Sequence, residues 1–263
     1  MMALGVAHLT ALQLAPADLV RQAAGAGFSA VGLRLHPAMA GGVCYPLEAP
    51  ARRGLKAVLA EEGMRVADIE FVELTPQVDI QALAPLLEAG ADLGAASLTV
   101  SGDDREYSRL TDHYAALCQL AAGYGLRVEL EFMRWRAVAN LAQARQIVEG
   151  AGQANGGLLL DALHLFRSGG TVAMLQTIDP RWLRTVQLCD APLLAPPEEG
   201  IIAEAREGRL PPGQGQLPLV ELMAALPQGV QVSVEMPYGA LKSVERLALA
   251  HQATRALLDP LNP

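Results

Sequence analysis

Aromatic side chains are scarce in this sequence, at 4% of 263 residues, so its core has to be built from Leu, Val and Ala. Cysteine is scarcer still. Cys44, Cys118 and Cys189 are far apart and form no CxxC pair, which suits free thiols in a reducing compartment rather than a disulfide framework. Basic charge is also short, with 20 Lys and Arg against 28 Asp and Glu and a net charge of −8. A nucleic-acid binder normally carries the opposite sign, so no nucleic-acid partner is expected. No apolar run reaches the ~18–20 residues that span a bilayer. No charge precedes Asp18, so the basic segment of a secretory signal is missing. The expectation is a cytoplasmic protein without a membrane partner.

What is abundant is apolar sequence, at 51%, laid out in a regular alternation. Short β-rich segments occur at 3–8, 30–35, 65–74, 97–102, 127–133, 157–163, 184–190 and 230–237. Between them lie segments with helical spacing such as "PADLVRQAAGAG" and "AQARQIVEGAG", several closing on a glycine that tolerates a left-handed cap. Strand–helix alternation implies parallel pairing, because a parallel return needs a crossover. Eight such units predict a single (β/α)8 TIM barrel over residues 1–263, the α/β class. An open doubly wound sheet would want a Gly-rich phosphate loop after an early strand, and none is present. The longest irregular stretch, 191–216, is rich in Pro and Gly and follows the seventh strand. That places it on the face where barrels keep their active-site loops, as a lid or substrate wall.

Alternate residues of a barrel strand point inward, and those at its carboxyl end line the mouth. Along "RVELEFM", Val128, Leu130 and Phe132 take the helix side and leave Glu129 and Glu131 inward. The same parity turns Asp161 of "LLLDALH", Gln187 of "RTVQLCD" and Glu235 of "VQVSVEMP" toward one mouth. Three carboxylates in one pocket repel and need a counter-charge to stay ionised. A divalent metal supplies it, and oxygen donors favour Mn²⁺ or Mg²⁺ before Zn²⁺, with Co²⁺ able to substitute. Taken singly, each acid is more ordinarily a helix cap or salt-bridge partner; four such residues on consecutive strands with one parity point to a site. His164 lies over the same mouth, three residues past Asp161.

At these residues the sequence resembles the xylose-isomerase-like TIM-barrel superfamily, the sugar phosphate isomerase and epimerase group. The resemblance covers essentially the whole chain and rests on "LEFM" at 130–133, "LLLDALH" at 158–164, "VQLCDAP" at 186–192, "RLPPGQGQLPL" at 209–219 and "SVEMP" at 233–237. It implies one divalent metal held by Glu131, Asp161, Gln187 and Glu235. It also makes Glu131 and Glu235 an acid/base pair across the substrate, with His164 and Arg209 touching substrate. Gln187 departs from the His usual in ketose epimerases and xylose isomerases, and its amide is similar to inosose dehydratases and some 3-dehydroshikimate dehydratases. The many-His, multi-zinc pattern of the DNA-repair branch is not matched by five histidines and an acidic surface.

Metal bound to adjacent substrate oxygens acidifies the C–H next to a carbonyl and stabilises the enediolate. Proton return to the same carbon from the opposite face epimerises, return to the neighbouring carbon isomerises, and loss of a β-hydroxyl dehydrates. The reading is an isomerase or epimerase acting on a small sugar-like substrate, with a dehydratase second and a non-catalytic sugar-binding barrel third. Arg34, His36 and Glu70 on the second and third strands are the further substrate-binding candidates. Arg134, Arg136 and Arg206 are possible anion contacts. The segment "DALHLFRSGG" and the apolar outer helices also allow a homodimer.

Overall fold

The computed structural model describes residues 3–39 and 41–261. Eight parallel strands close in sequence order: β1 (Leu4–Val6), β2 (Ala30–Arg34), β3 (Arg65–Leu74), β4 (Ser97–Gly102), β5 (Arg127–Glu131), β6 (Gly156–Asp161), β7 (Leu183–Leu188) and β8 (Gln231–Val234). The last strand returns to the first, with Leu4, Gly5 and Val6 set against Val232, Ser233 and Val234. Around them run α1 (Pro16–Ala26), α2 (Ala49–Glu61), α3 (Ala84–Asp92), α4 (Tyr107–Ala122), α5 (Leu141–Ala151), α6 (Ala162–Arg167), α7 (Ile201–Glu207), α8 (Leu219–Ala225) and α9 (Ser243–Leu258). This is a single (β/α)8 TIM barrel, as the alternation predicts. Among the described residues, no helix is long and apolar enough to cross a membrane.

Local sequence explains several helix ends. Pro16 opens α1, where its missing N–H costs no helical bond, and Gly27 closes it at φ 101°. Asn140 caps α5 through its side chain on the Gln143 N–H, and Gly152 ends it at φ 61°. Strands β1, β5 and β8 are shorter than the apolar runs that mark them. The Ala7 and Glu235 N–H groups still reach the Val234 and Leu188 carbonyls at 2.9 and 3.0 Å, and His8 is already in a 3-10 turn.

The predicted alternation is visible on β5. Val128 and Leu130 join the apolar core cluster, whereas Glu129 and Glu131 alternate with them. Full burial of such an aliphatic side chain contributes about 1.5–3 kcal/mol. The Tyr114 hydroxyl of α4 ties β5 to β6: it lies 2.9 Å from the Val128 carbonyl and accepts the Gly157 N–H at 2.9 Å. Both strands that end on candidate acids are thereby held by one side chain.

The stretch 191–216 carries α7 in its middle, an element its Pro and Gly content hides. Its ends are pinned by an antiparallel bridge between Asp190 and Leu210. The Asp190 carboxylate accepts the N–H groups of Ala191 (2.8 Å), Gly213 (2.9 Å) and Leu217 (3.0 Å). This fixes the turn that follows Arg209.

Candidate metal and substrate site

Strand β6 ends on Asp161, which is also the N-cap of α6. Its Oδ1 accepts the His164 N–H at 2.9 Å. The spacing D-x-x-H is therefore a capping geometry, in which the bond from cap to third residue sets the first helical turn and so the place of the histidine. The ordinary reading of a strand-end acid is correct for one oxygen of Asp161. The other oxygen faces the site.

That second oxygen, Oδ2, accepts from Arg209 Nη1 at 2.5 Å. Arg209 is 1% exposed and makes further contacts on every side. Its Nε donates to the Ala205 carbonyl at 2.7 Å, its Nη2 lies 2.8 Å from Glu235 Oε2, and its Nη1 is 3.5 Å from Cys189 Sγ. A guanidinium thus sits between two of the acids and already supplies part of the counter-charge that the sequence reading assigns to a metal.

The charges divide unevenly. Burial pushes the Glu131 carboxyl well up, and the neighbouring Glu235 and Asp161 push it further. Burial raises Glu235 to about 7, with Arg209 opposing. Burial works against ionisation of Asp161 too, but Arg209, His164 and the capping N–H outweigh it and hold that carboxyl low. Burial and Arg209 lower His164 to about 4 against the pull of Asp161, so its imidazole is neutral. Its Nε2 lies 3.7 Å from Glu131 Oε1 and 3.5 Å from Arg209 Nη2, and its ring meets Trp135 edge-on at 5.1 Å.

Glu131, Asp161 and His164 each offer a ligand atom within 4.8 Å of one another. Gln187 pairs in register with Asp161, and its Oε1 is buried without a hydrogen-bond partner. A buried amide oxygen left unpaired is costly, and a cation beside it would satisfy it. The Cys189 thiol, pushed up to about 12 by burial, is no competing thiolate. Oxygen and imidazole donors of this kind fit Mn²⁺, Mg²⁺, Co²⁺ or Zn²⁺. Compared with the set implied by family resemblance, His164 joins the cluster of possible ligands. Glu235 is instead engaged by Arg209.

Above these groups lies a cavity of about 290 Å³ at the carboxyl ends of the strands. Glu131, His164, Arg209 and Glu235 line it, as do Arg34 and Glu70 from the opposite strands; Asp161 and Gln187 are buried outside its wall. His36 is not among its lining residues. Strand β2 stops at Arg34, so the strand parity no longer applies two residues later, and the His36 Nδ1 bonds the Phe71 carbonyl at 2.9 Å. Arg134 pairs with Glu198 at 2.5 Å, and Arg136 with Glu73 and Asp103. Arg206 lines the cavity without an acidic partner among the described residues. Leu9, Leu12, Phe71, Met133 and Trp135 form an apolar wall that sequence reasoning missed. The sequence "MRWR" carried a signal for it in Trp135, obscured by its two arginines.

A closed parallel barrel with its acids gathered at the carboxyl ends of β5, β6 and β8 belongs to a superfamily of enzymes. The chain is a member of the xylose isomerase-like TIM barrel family, whose model matches residues 20–258. A 3-dehydroshikimate dehydratase of Pseudomonas aeruginosa is 34% identical over 139 residues, 52% of this chain and 22% of that protein. The match thus spans about a fifth of the curated relative's length. IolI, solved with a bound zinc atom, superposes with a TM-score of 0.79 at 19% identity, covering 98% of this chain and 99% of its own. The probable 3-dehydroshikimate dehydratase AsbF from Bacillus anthracis gives 0.79 at 14%, covering 96% and 98%. A D-psicose 3-epimerase with D-fructose gives 0.77 at 14%, covering 100% of both chains. At these identities the structural likenesses speak to the fold alone.

Proposed function

We propose that this barrel is a divalent-metal-dependent enzyme that removes a proton next to a carbonyl on a small hydroxylated ring and expels a β-hydroxyl, a dehydration of the 3-dehydroshikimate type. The observation that carries the reading is the convergence of buried ligand atoms from Glu131, Asp161 and His164, with the unpartnered Gln187 amide oxygen on the strand paired to Asp161. Two features move dehydration ahead of the isomerisation favoured by sequence alone. The cavity wall of Leu9, Leu12, Phe71, Met133 and Trp135 suits a carbocyclic face better than a fully hydroxylated sugar. The 34% identity to a 3-dehydroshikimate dehydratase also falls on this barrel sequence.

Glu131, Asp161, His164 and Gln187 would hold the ion, with Glu235 available if Arg209 releases it. A divalent ion bound there supplies Lewis acidity, withdrawing electrons from the substrate carbonyl and making the adjacent C–H more acidic. The protein's own groups do the rest. A glutamate of the Glu131–Glu235 pair takes the proton; Glu235, at about 7, is matched to neutral pH for that work. The electron pair of the broken C–H bond forms the new C=C bond as the β C–O bond breaks. The departing hydroxide takes a proton from a glutamic acid and leaves as water. Arg209 orients Glu235, and the burial of all these groups excludes bulk water.

Epimerisation is the second reading, supported by the presence of two protonatable glutamates, Glu131 and Glu235, on the wall of one cavity. One experiment separates the two. Protein supplied with Mn²⁺ is incubated with 3-dehydroshikimate, and the ultraviolet absorbance of 3,4-dihydroxybenzoate is followed. Steady growth of that band, abolished by chelation, is expected. A folded, metal-loaded protein that leaves 3-dehydroshikimate intact but epimerises a ketose overturns dehydration in favour of the second reading.

A further inference from the structure

Four arginines line the cavity, and three of them are neutralised. Arg209 is engaged by Asp161 and Glu235, Arg136 by Glu73 and Asp103, and Arg34 by Glu70 at 3.4 Å. Arg206 on α7 has no acidic partner among the described residues. Its helix neighbour Glu204 is taken by Arg167 at 2.7 Å, and Glu207 does not line the cavity. Arg206, an exposed residue of α7, therefore brings to the edge of the cavity a positive charge with no ion-pair partner among the described residues.

The Arg34–Glu70 pair is different in kind. The two side chains are 8% and 2% exposed, yet Arg34 Nε and Glu70 Oε1 are both buried without a hydrogen-bond partner. Buried polar atoms are rarely left unpaired, and each unmade bond is costly. The pair keeps one free donor, Arg34 Nε, and one free acceptor, Glu70 Oε1. A group that both accepts and donates, as a hydroxyl does, satisfies both atoms. A carboxylate would meet the Glu70 oxygen with like charge and repulsion.

We infer that the cavity reads its substrate from two ends: the Arg34–Glu70 pair takes a hydroxyl, and Arg206 takes a carboxylate, which makes the substrate a small hydroxylated acid. This deepens the function proposed above and rests on it. The same cavity is lined by the apolar Met133 and Trp135, which offer a face for a ring, and by Glu131 and Glu235. Arginine is suited to its end because its planar fork matches both oxygens of a carboxylate.

The test is calorimetric titration of the Mn²⁺-supplied protein with 3,4-dihydroxybenzoate, its neutral carboxamide and benzoate, so that binding is read without turnover. Wild type is expected to prefer the dihydroxy acid over its carboxamide by about tenfold or more. Arg206→Gln loses that preference by weakening acid binding alone, and Arg206→Lys recovers part of it. Glu70→Gln weakens both dihydroxy compounds and leaves benzoate unchanged. The inference is overturned if wild type binds acid and carboxamide equally, if Arg206→Gln keeps the preference, or if Glu70→Gln weakens benzoate as much as the hydroxylated probes. Failure of all three probes to bind a metal-loaded protein also overturns it. A protein that selects the acid through Arg206 yet does not dehydrate 3-dehydroshikimate retains the two-ended recognition and loses only the dehydration reading.

Discussion

Arg209 Nη1 donates to Asp161 Oδ2 at 2.5 Å, joining residues 48 positions apart in the sequence into one buried ion pair. Arg209 lines the cavity and Asp161 lies behind its wall, with Glu235 also engaging the guanidinium at 2.8 Å. Because ions buried in this way are costly when unpaired, the site is organised around Arg209 as much as around any metal.

Asp161→Asn keeps the cap, since Asn serves α6 about as well, but removes the charge that Arg209 faces. Loss of one partner from a buried pair predicts about 3 kcal/mol lower stability for the metal-free protein, read by urea unfolding. Metal content, measured by mass spectrometry after incubation with Mn²⁺, should fall from about one per chain to well below that. Full metal retention in the variant would remove Asp161 from the ligand set.

Gln187→Leu should move two quantities in opposite directions. Replacing a buried amide whose oxygen has no partner with an apolar side chain of similar length raises metal-free stability by about 1 kcal/mol. If the amide is a ligand, chelator competition will show Mn²⁺ affinity falling about tenfold or more. Unchanged affinity with raised stability would leave Gln187 as a packing residue.

Glu131→Gln and Glu235→Gln preserve shape while removing a transferable proton. Turnover should drop about 10²–10⁴-fold in each, with circular dichroism unchanged. A barrel that only binds a sugar would keep its ligand affinity through both substitutions and show no turnover to lose.

His8 reports on pH. Its Nδ1 accepts the Arg34 N–H at 2.8 Å and its Nε2 lies 2.9 Å from the Leu14 carbonyl, an arrangement that fits only the neutral ring. Burial lowers its pKa below 6.5, against the Leu14 hydrogen bond. Below that value the unfolded chain takes up a proton that the folded protein resists, so this contribution is full above about pH 6.5 and declines as pH falls. His8→Gln should therefore cost about 2 kcal/mol at pH 7.5 and less at pH 5. Urea unfolding of both proteins at the two pH values checks this; an equal cost at both would show that His8 does not titrate with unfolding.

The sequence by itself determined the barrel and the direction of its acids. Alternation of apolar and polar residues along a strand is a local property with a period of two, so the inward placement of Glu129 and Glu131 follows from "RVELEFM" without any knowledge of the neighbouring strands. The glycines and Asn140 that end or begin helices are legible for the same reason, because caps act within a turn of the chain. The parity argument stops where the strand stops, which is why it reaches Arg34 but not His36.

Tertiary structure alone decided what those side chains meet. Whether Asp161 faces a guanidinium depends on a loop anchored by Asp190 far downstream, and no local pattern encodes that distance. The division of charge, with Asp161 held low and Glu131 and Glu235 held high, depends on which groups converge and how deeply they are buried. The apolar wall is likewise gathered from three separate strands, by Leu9 and Leu12 after β1, Phe71 on β3, and Met133 and Trp135 after β5. Dielectric and proximity are properties of the folded interior, and they come into being only when the barrel closes.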